Sequence, residues 1–136
     1  MAYTSRDIGS AATAAVRDRS ESVTDAARDE PVDLAHLARQ TLDDADLERE
    51  VLGLFLSQTE IFLERLRGAR TAESWRMAAH TIKGSARNIG AWHLAEVARV
   101  AEGYNPADRR AAAMVDKVAD ALGLTNRYIE GRLALA

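Results

Sequence analysis

A histidine, a lysine and a glycine stand at spacings that place them on one side of a helix. Lys83 follows His80 by three positions, and Gly84 follows it by four. In an α-helix, residues three and four apart lie over one another on the same face. A neutral imidazole nitrogen can attack an acyl phosphate at physiological pH, whereas serine, threonine or lysine would first have to lose a proton. The spacing therefore indicates phosphoryl acceptance at His80.

Positive charge on the same face supports this chemistry. A phosphorylated side chain carries nearly two negative charges. Lys83 lies one turn from His80, Arg87 lies seven positions after it, and Arg76 lies four positions before it. Charge-assisted hydrogen bonds from Lys83 and Arg87 can offset the phosphoryl charge. We therefore expect these cations to ease transfer.

Gly84 is the second unusual feature of this helix. Glycine inside a helix costs about 1 kcal/mol relative to alanine, yet good helix formers continue on both sides of Gly84. A bare helix surface beside His80 would let the active site of another protein approach the imidazole closely. Gly84 is thus predicted to serve docking.

The helix that carries His80 has its opposite side committed to a core. Thr71 is a suitable N-cap, and Gly90 follows the last apolar position. Between them runs an apolar stripe at helical spacing: Trp75, Ala78, Ala79, Ile82, Ala86 and Ile89. His80 is therefore predicted to face solvent.

Four further helices are predicted around this one. Asp33 caps a short first helix, and a second helix starts after Asp43-Asp44 and ends at Gly68. The fourth runs from Trp92 to Gly103, and Asn105-Pro106 is predicted to start the fifth, with a possible break at Gly123 left open. The predicted core face of the second helix contains Leu47, Val51, Leu54, Phe55, Ile61, Phe62 and Leu66.

Composition agrees with an all-α fold in one domain. The 136 residues are rich in alanine, leucine, arginine and glutamate and poor in aromatic residues, a balance that favours helices. Residues 1–30 contain too few large aliphatic side chains for a buried face, so we predict a flexible or partly helical N-terminal arm. Residues 31–136 are predicted to form an antiparallel helical bundle.

Several classes of function are disfavoured. The chain has no cysteine and a net charge of −3, so thiolate metal sites are excluded and nucleic acid is not the expected partner. His36 and His93 lie on different predicted helices from His80, without the spacing of a bundle metal site. No apolar run approaches the roughly 20 residues that span a bilayer, and we expect no membrane association and a cytoplasmic location.

The sequence around His80 resembles that of a known protein family. The run Ala79-His80-Thr81-Ile82-Lys83-Gly84-Ser85-Ala86, with Gly90 following, is similar to the signature of histidine-containing phosphotransfer (Hpt) domains. The resemblance extends from about Val32 to Gly103, and the last helix fits more loosely. It implies an antiparallel up-down four-helix bundle with an additional short N-terminal helix.

The resemblance also implies roles for single residues. His80 would be the phosphoryl acceptor, Lys83 would stabilise the phosphoryl charge, and Gly84 would admit the receiver domain. Arg76 and Arg87 depart from any fixed family pattern, so we assign them to partner docking. No cofactor and no metal of the chain itself is implied, because the receiver domain brings the magnesium ion and the aspartate.

The leading hypothesis is a histidine phosphotransfer protein of two-component signal transduction. It would take a phosphoryl group from a receiver-domain aspartate and pass it to another response regulator, with receiver domains of hybrid histidine kinases and response regulators as partners. We expect a monomer without autokinase activity, and whether such a phosphocarrier counts as an enzyme stays open. One alternative is a non-catalytic helical adaptor, for which His80 is incidental. A weaker alternative is a nucleic-acid-binding protein, whose basic face would be formed by Arg76, Lys83, Arg87 and Arg99.

Overall fold

The computed structural model describes residues 30–135, which form helices and turns and contain no strand. The helices are α1 (Leu34–Gln40), α2 (Ala45–Arg67), α3 (Ala72–Ile89), α4 (Trp92–Glu102) and α5 (Ala111–Ala134). The last four pack in a ring, α2 on α3, α3 on α4, α4 on α5 and α5 on α2, while α1 packs on α3. This arrangement confirms the predicted all-α bundle with a short additional N-terminal helix. The predicted arm falls almost wholly outside the described residues and stays a prediction.

Local signals set the start and end of α3, the helix that carries His80. The Thr71 hydroxyl accepts a hydrogen bond from the Ser74 backbone N–H, and the Ser74 hydroxyl in turn accepts one from the Thr71 backbone N–H. This reciprocal pair is a capping box. At the other end Gly90 takes a φ of +80°, the left-handed conformation that glycine adopts without strain. Both predicted boundaries of this helix are confirmed.

The apolar stripe of α3 forms the centre of the core. All six of its predicted members are buried. The prediction for α2 was partly wrong, because Leu47, Leu54 and Ile61 are 37%, 62% and 40% exposed. These three residues recur every seven positions and form a line beside the buried stripe. That stripe contains Leu52, Phe55, Thr59, Phe62 and Leu66.

The start of α5 also differs from the prediction. The Asn105 side chain accepts a hydrogen bond from the Ala107 backbone N–H, and the Asp108 carboxylate accepts one from the Asn105 backbone N–H, both at 2.8 Å. These bonds hold a polar turn, in which side chains satisfy backbone groups that a helix would otherwise use. The helix therefore begins at Ala111 instead of beside Pro106. It then continues through Gly123 without a break.

A polar contact fixes α1 to the turn between α3 and α4. The Asp33 carboxylate accepts hydrogen bonds from the His36 backbone N–H at 3.1 Å and from the Trp92 indole N–H at 2.9 Å. The His36 ring meets the Trp92 ring edge-on, with centroids 4.8 Å apart, and burial lowers the pKa of His36. Gly90 lies so close that an added Cβ would be 3.0 Å from the Asp33 carbonyl oxygen. The turn beside α1 is therefore closely packed.

We expect Asp33→Ala to lower the free energy of unfolding by about 2 kcal/mol. The substitution removes the cap of α1 and leaves the half-buried Trp92 N–H without its partner. Asp44→Ala is the matched control, because Asp44 caps the exposed start of α2 with a single bond to the Leu47 N–H, and it should cost about 1 kcal/mol. Urea denaturation with an unchanged m value measures both. Equal losses in the two variants would contradict the role given to the Trp92 contact.

Candidate functional site

His80 stands near the middle of α3 with its imidazole in solvent. Its side chain is 70% exposed, while its neighbours Ala79 and Ile82 are fully buried. The alternation follows from the helical period, because one face of α3 is filled by the core. The predicted solvent-facing position of His80 is therefore what the structure shows.

A glutamate from the neighbouring helix joins His80 to Lys83. The Glu102 carboxylate, at the end of α4, accepts a hydrogen bond from His80 Nδ1 through Oε2 and one from Lys83 Nζ through Oε1, both at 2.9 Å. The Lys83 and Glu102 side chains are 14% and 19% exposed. The fully buried small residues Ala98 and Ala101 let α4 lie close against α3. Two of the predicted site residues thus meet through a third.

Glu102 is held in its ionised form. Burial by itself would raise the pKa of the Glu102 carboxyl, but the hydrogen bonds from Lys83 and His80 outweigh it, and the pKa is lowered overall. An ionised carboxylate only accepts hydrogen bonds. The His80–Glu102–Lys83 cluster therefore has a fixed direction of donation, from the imidazole and the ammonium to the carboxylate.

The other predicted site residues lie on the same side of α3. Gly84 is exposed, and a Cβ added to it would meet nothing within 4 Å. Arg76 and Arg87 are exposed above and below His80 and form no ion pair with any other residue of the range 30–135. Neither arginine joins the cluster. They form a basic rim on the same helix face.

Two contributors to this surface were missed by sequence reasoning. Glu102 is separated from His80 by a turn and a whole helix, so only the packing of α4 on α3 brings it to the imidazole. Met77 is 62% exposed and lies three positions before His80 and seven before Gly84, on the same helix face. The sequence did contain a signal for Met77, because it is a large apolar residue that does not belong to the apolar stripe of α3 and so was not needed for the core. Met77 adds an apolar contact area beside the imidazole.

No group of three possible metal ligands from histidine, aspartate and glutamate occurs in the described part of the chain. His36 lies against Trp92 at α1, and His93 is exposed on α4. Within the same residues no helix is long and apolar enough to cross a membrane.

Comparison with protein families supplies an identification independent of this geometry. The family model described as Hpt domain matches residues 50–130, a span that covers more than half of the chain and contains His80, Lys83, Gly84 and Glu102. No curated protein and no solved structure matches the chain. Hpt domains carry out histidine phosphotransfer in phosphorelays and interact with receiver domains of two-component systems. From the match over residues 50–130 and the helical bundle that carries it, the chain belongs to the Hpt domain family.

Proposed function

We propose that His80 accepts a phosphoryl group from the aspartyl phosphate of one receiver domain and delivers it to the aspartate of another. The observation that carries the proposal is the position of His80. A histidine exposed by 70%, on a helix whose other face is core, has a cation held within its own hydrogen-bonded cluster. Exposure matters because the donor and the acceptor are both sites on other proteins.

The transfer step balances with the residues present. The lone pair of a neutral His80 ring nitrogen attacks phosphorus, and the bond between phosphorus and the aspartyl oxygen breaks. The electron pair of that bond leaves on the receiver carboxylate. Positive charge develops on the ring during attack, and the other ring nitrogen keeps its proton. The reverse step, with a carboxylate as nucleophile and His80 as leaving group, passes the group onward.

Lys83 supplies positive charge close to the reacting ring. Its ammonium lies 2.9 Å from the carboxylate that also holds His80, so its charge acts on the transferred group from within the cluster. The chain then behaves as a substrate and carrier that draws its phosphoryl group from a receiver instead of from ATP.

Lys83→Met should slow phosphoryl acceptance about tenfold without abolishing it, since the lysine tunes the charge around the nucleophile and is not itself the nucleophile. Methionine keeps the aliphatic packing of a side chain that is only 14% exposed. Single-turnover transfer from a phosphorylated receiver measures the rate. Arg76→Met, at the exposed rim, is the control and should change that rate less than threefold on the scale of exposed charges. An unchanged rate in the Lys83 variant would remove lysine from the mechanism.

The proposal itself is tested by the chemistry of the label. A panel of receiver domains carrying radioactive phosphate is mixed with the full chain, and the labelled chain is then exposed to acid and to base. An acid-labile, base-stable label supports phosphohistidine, and ATP alone should give no label. If no receiver labels the chain while a receiver or kinase still binds it, the bundle acts as an adaptor and the proposal fails.

A further inference from the structure

We propose that α1 is a pH-released clasp: it closes on the turn between α3 and α4 while His36 is neutral, and it opens, with the other four helices still folded, when His36 takes up a proton. The inference concerns α1 and does not depend on phosphoryl transfer. It starts from a polar atom that the closed structure leaves without a partner.

The Nε2 atom of His36 is buried and has no hydrogen-bond partner within residues 30–135. In a neutral imidazole this nitrogen can remain an unpaired acceptor. A protonated imidazole carries a hydrogen on both ring nitrogens, so Nε2 would become a buried donor with no acceptor. An unpaired buried group costs more when it is charged. The closed position of the ring therefore favours the neutral form.

The ring has little room to turn while α1 stays closed. A Cβ added to Gly90 would be 3.2 Å from the His36 Cδ2 atom, and the Trp92 ring is 4.8 Å away between centroids. Asp33, in the same turn of chain, is held by the Trp92 indole N–H and by its own N–H, which donates to the Gly90 carbonyl oxygen, both at 2.9 Å. Nε2 therefore gains access to water only if α1 moves.

The groups that act on the charge of this ring come from α1 and α3. In the α1 segment, Asp33 favours the protonated ring and Arg39 opposes it, while the backbone carbonyls of Arg87 and Asn88 at the end of α3 favour it. The helix α4 contributes the uncharged Trp92 ring. Burial has the largest effect, and the pKa of the imidazole is lowered overall. The favourable neighbours do not make up for the loss of water.

The lowered pKa of His36 sets the direction of the response. In the released form the ring is in water and has the ordinary pKa of 6.5. Above this pH both forms are neutral, and closure is undisturbed. As the pH falls through 6.5 the released form takes up its proton first, so closure weakens until the pH lies below the lowered pKa of the closed form. The helix is therefore closed at neutral pH and released in mild acid.

The helix α1 can open without the rest because few contacts hold it. It has seven residues, too few for a helix to persist by itself in water, and Leu37 is its buried residue. The helices α2 to α5 pack against one another in a ring. Local opening of such a segment costs less than global unfolding. Opening also loosens the end of α3, where Arg87 belongs to the basic rim.

Hydrogen exchange of the full chain tests the release. Amide exchange is followed by mass spectrometry at about pH 7.5 and about pH 5.5, and each rate is compared with that of the unfolded chain at the same pH. In wild type the protection of α1 should fall by up to about tenfold at the lower pH, the limit for a group of ordinary pKa that stays neutral in the closed form. The protection of α2 and α5 should not change.

Two variants assign the effect to one side chain. His36→Gln cannot titrate and should lose the pH dependence of α1. His93→Gln removes an exposed histidine of α4 and should keep it.

A proton NMR titration of the histidine rings checks the cause in wild type, without relying on a variant. His36 should titrate at a lower pH than the exposed His93, which serves as the reference in the same spectra. Wild-type α1 protection that is equal at the two pH values, or a His36 that titrates at or above the pH of His93, would overturn the inference. A His36→Gln chain that loses α1 protection in acid as wild type does would also overturn it.

Discussion

His80→Gln should abolish phosphoryl acceptance from every receiver domain that labels wild type. The substitution removes the proposed nucleophile, and neither glutamine nor a neighbouring side chain on this face of α3 has a lone pair that can replace it at neutral pH. The fold should persist, because the side chain is 70% exposed and its only described polar contact is with Glu102. We expect a loss of at least about a thousandfold in rate, since a nucleophile has no partial substitute.

The matched control is His93→Gln, which removes an exposed histidine from α4 and should leave labelling at the wild-type level. Circular dichroism and a thermal melt accompany both variants, and each should unfold within a few degrees of wild type. Residual label on His80→Gln at the wild-type rate would show that another residue accepts the group. Loss of helicity would contradict the surface placement of His80.

Gly84→Gln should separate receiver docking from the chemistry of the histidine. Within the chain the new side chain has room, because a Cβ at this position meets nothing within 4 Å, and replacing a helical glycine should stabilise the bundle by up to about 1 kcal/mol. When a receiver approaches, however, the same side chain would obstruct its contact with the surface next to His80 and Met77. We expect transfer from a receiver to slow by about thirtyfold or more, the scale of a well-placed interface residue.

Two comparisons make the Gly84 result specific. Phosphoramidate is a small phosphoryl donor that needs no docking surface, so its reaction with His80 should be unchanged in Gly84→Gln. Gly131→Gln introduces the same side chain at another helical glycine with open space around it, on α5, and should leave both reactions at the wild-type rate. Receiver transfer that is equally fast in the Gly84 variant would contradict the close-approach role of this glycine.

The regular parts of the fold could be predicted because their signals are local. The α3 stripe repeats every three or four residues without interruption, and all of its members are buried. Asp33, Asp44 and Thr71 cap the helices that they precede. The interpretation failed where one signal serves two structures. Asn105-Pro106 suits a helix start and a polar turn equally, and here the hydrogen bonds of Asn105 with Ala107 and Asp108 hold the turn.

The sequence predicted the residues of the candidate site that share α3, but not Glu102, which lies on the neighbouring helix α4. The positions of His80, Lys83 and Gly84 follow from the helical period alone. Glu102 reaches the imidazole only because α4 lies against α3 in one register, set by small buried residues such as Ala98. Leu54 shows the same limit, since its exposure depends on how far the neighbouring helices cover α2. Helix register and side-chain exposure of this kind depend on how the helices pack, and the spacing of residues in the sequence does not predict them.

If this chain carries a phosphoryl group between two proteins, a single experiment can follow both transfer steps, from a receiver to His80 and from His80 to a second receiver. The wild-type chain is labelled by a phosphorylated receiver, freed from it, and mixed with a second, unphosphorylated receiver that has its magnesium. We predict that the label leaves His80 and appears on the second receiver, and that no label moves when His80→Gln takes the place of wild type. A wild-type chain that takes no label from any receiver, or that takes it and delivers it to none, would contradict the account.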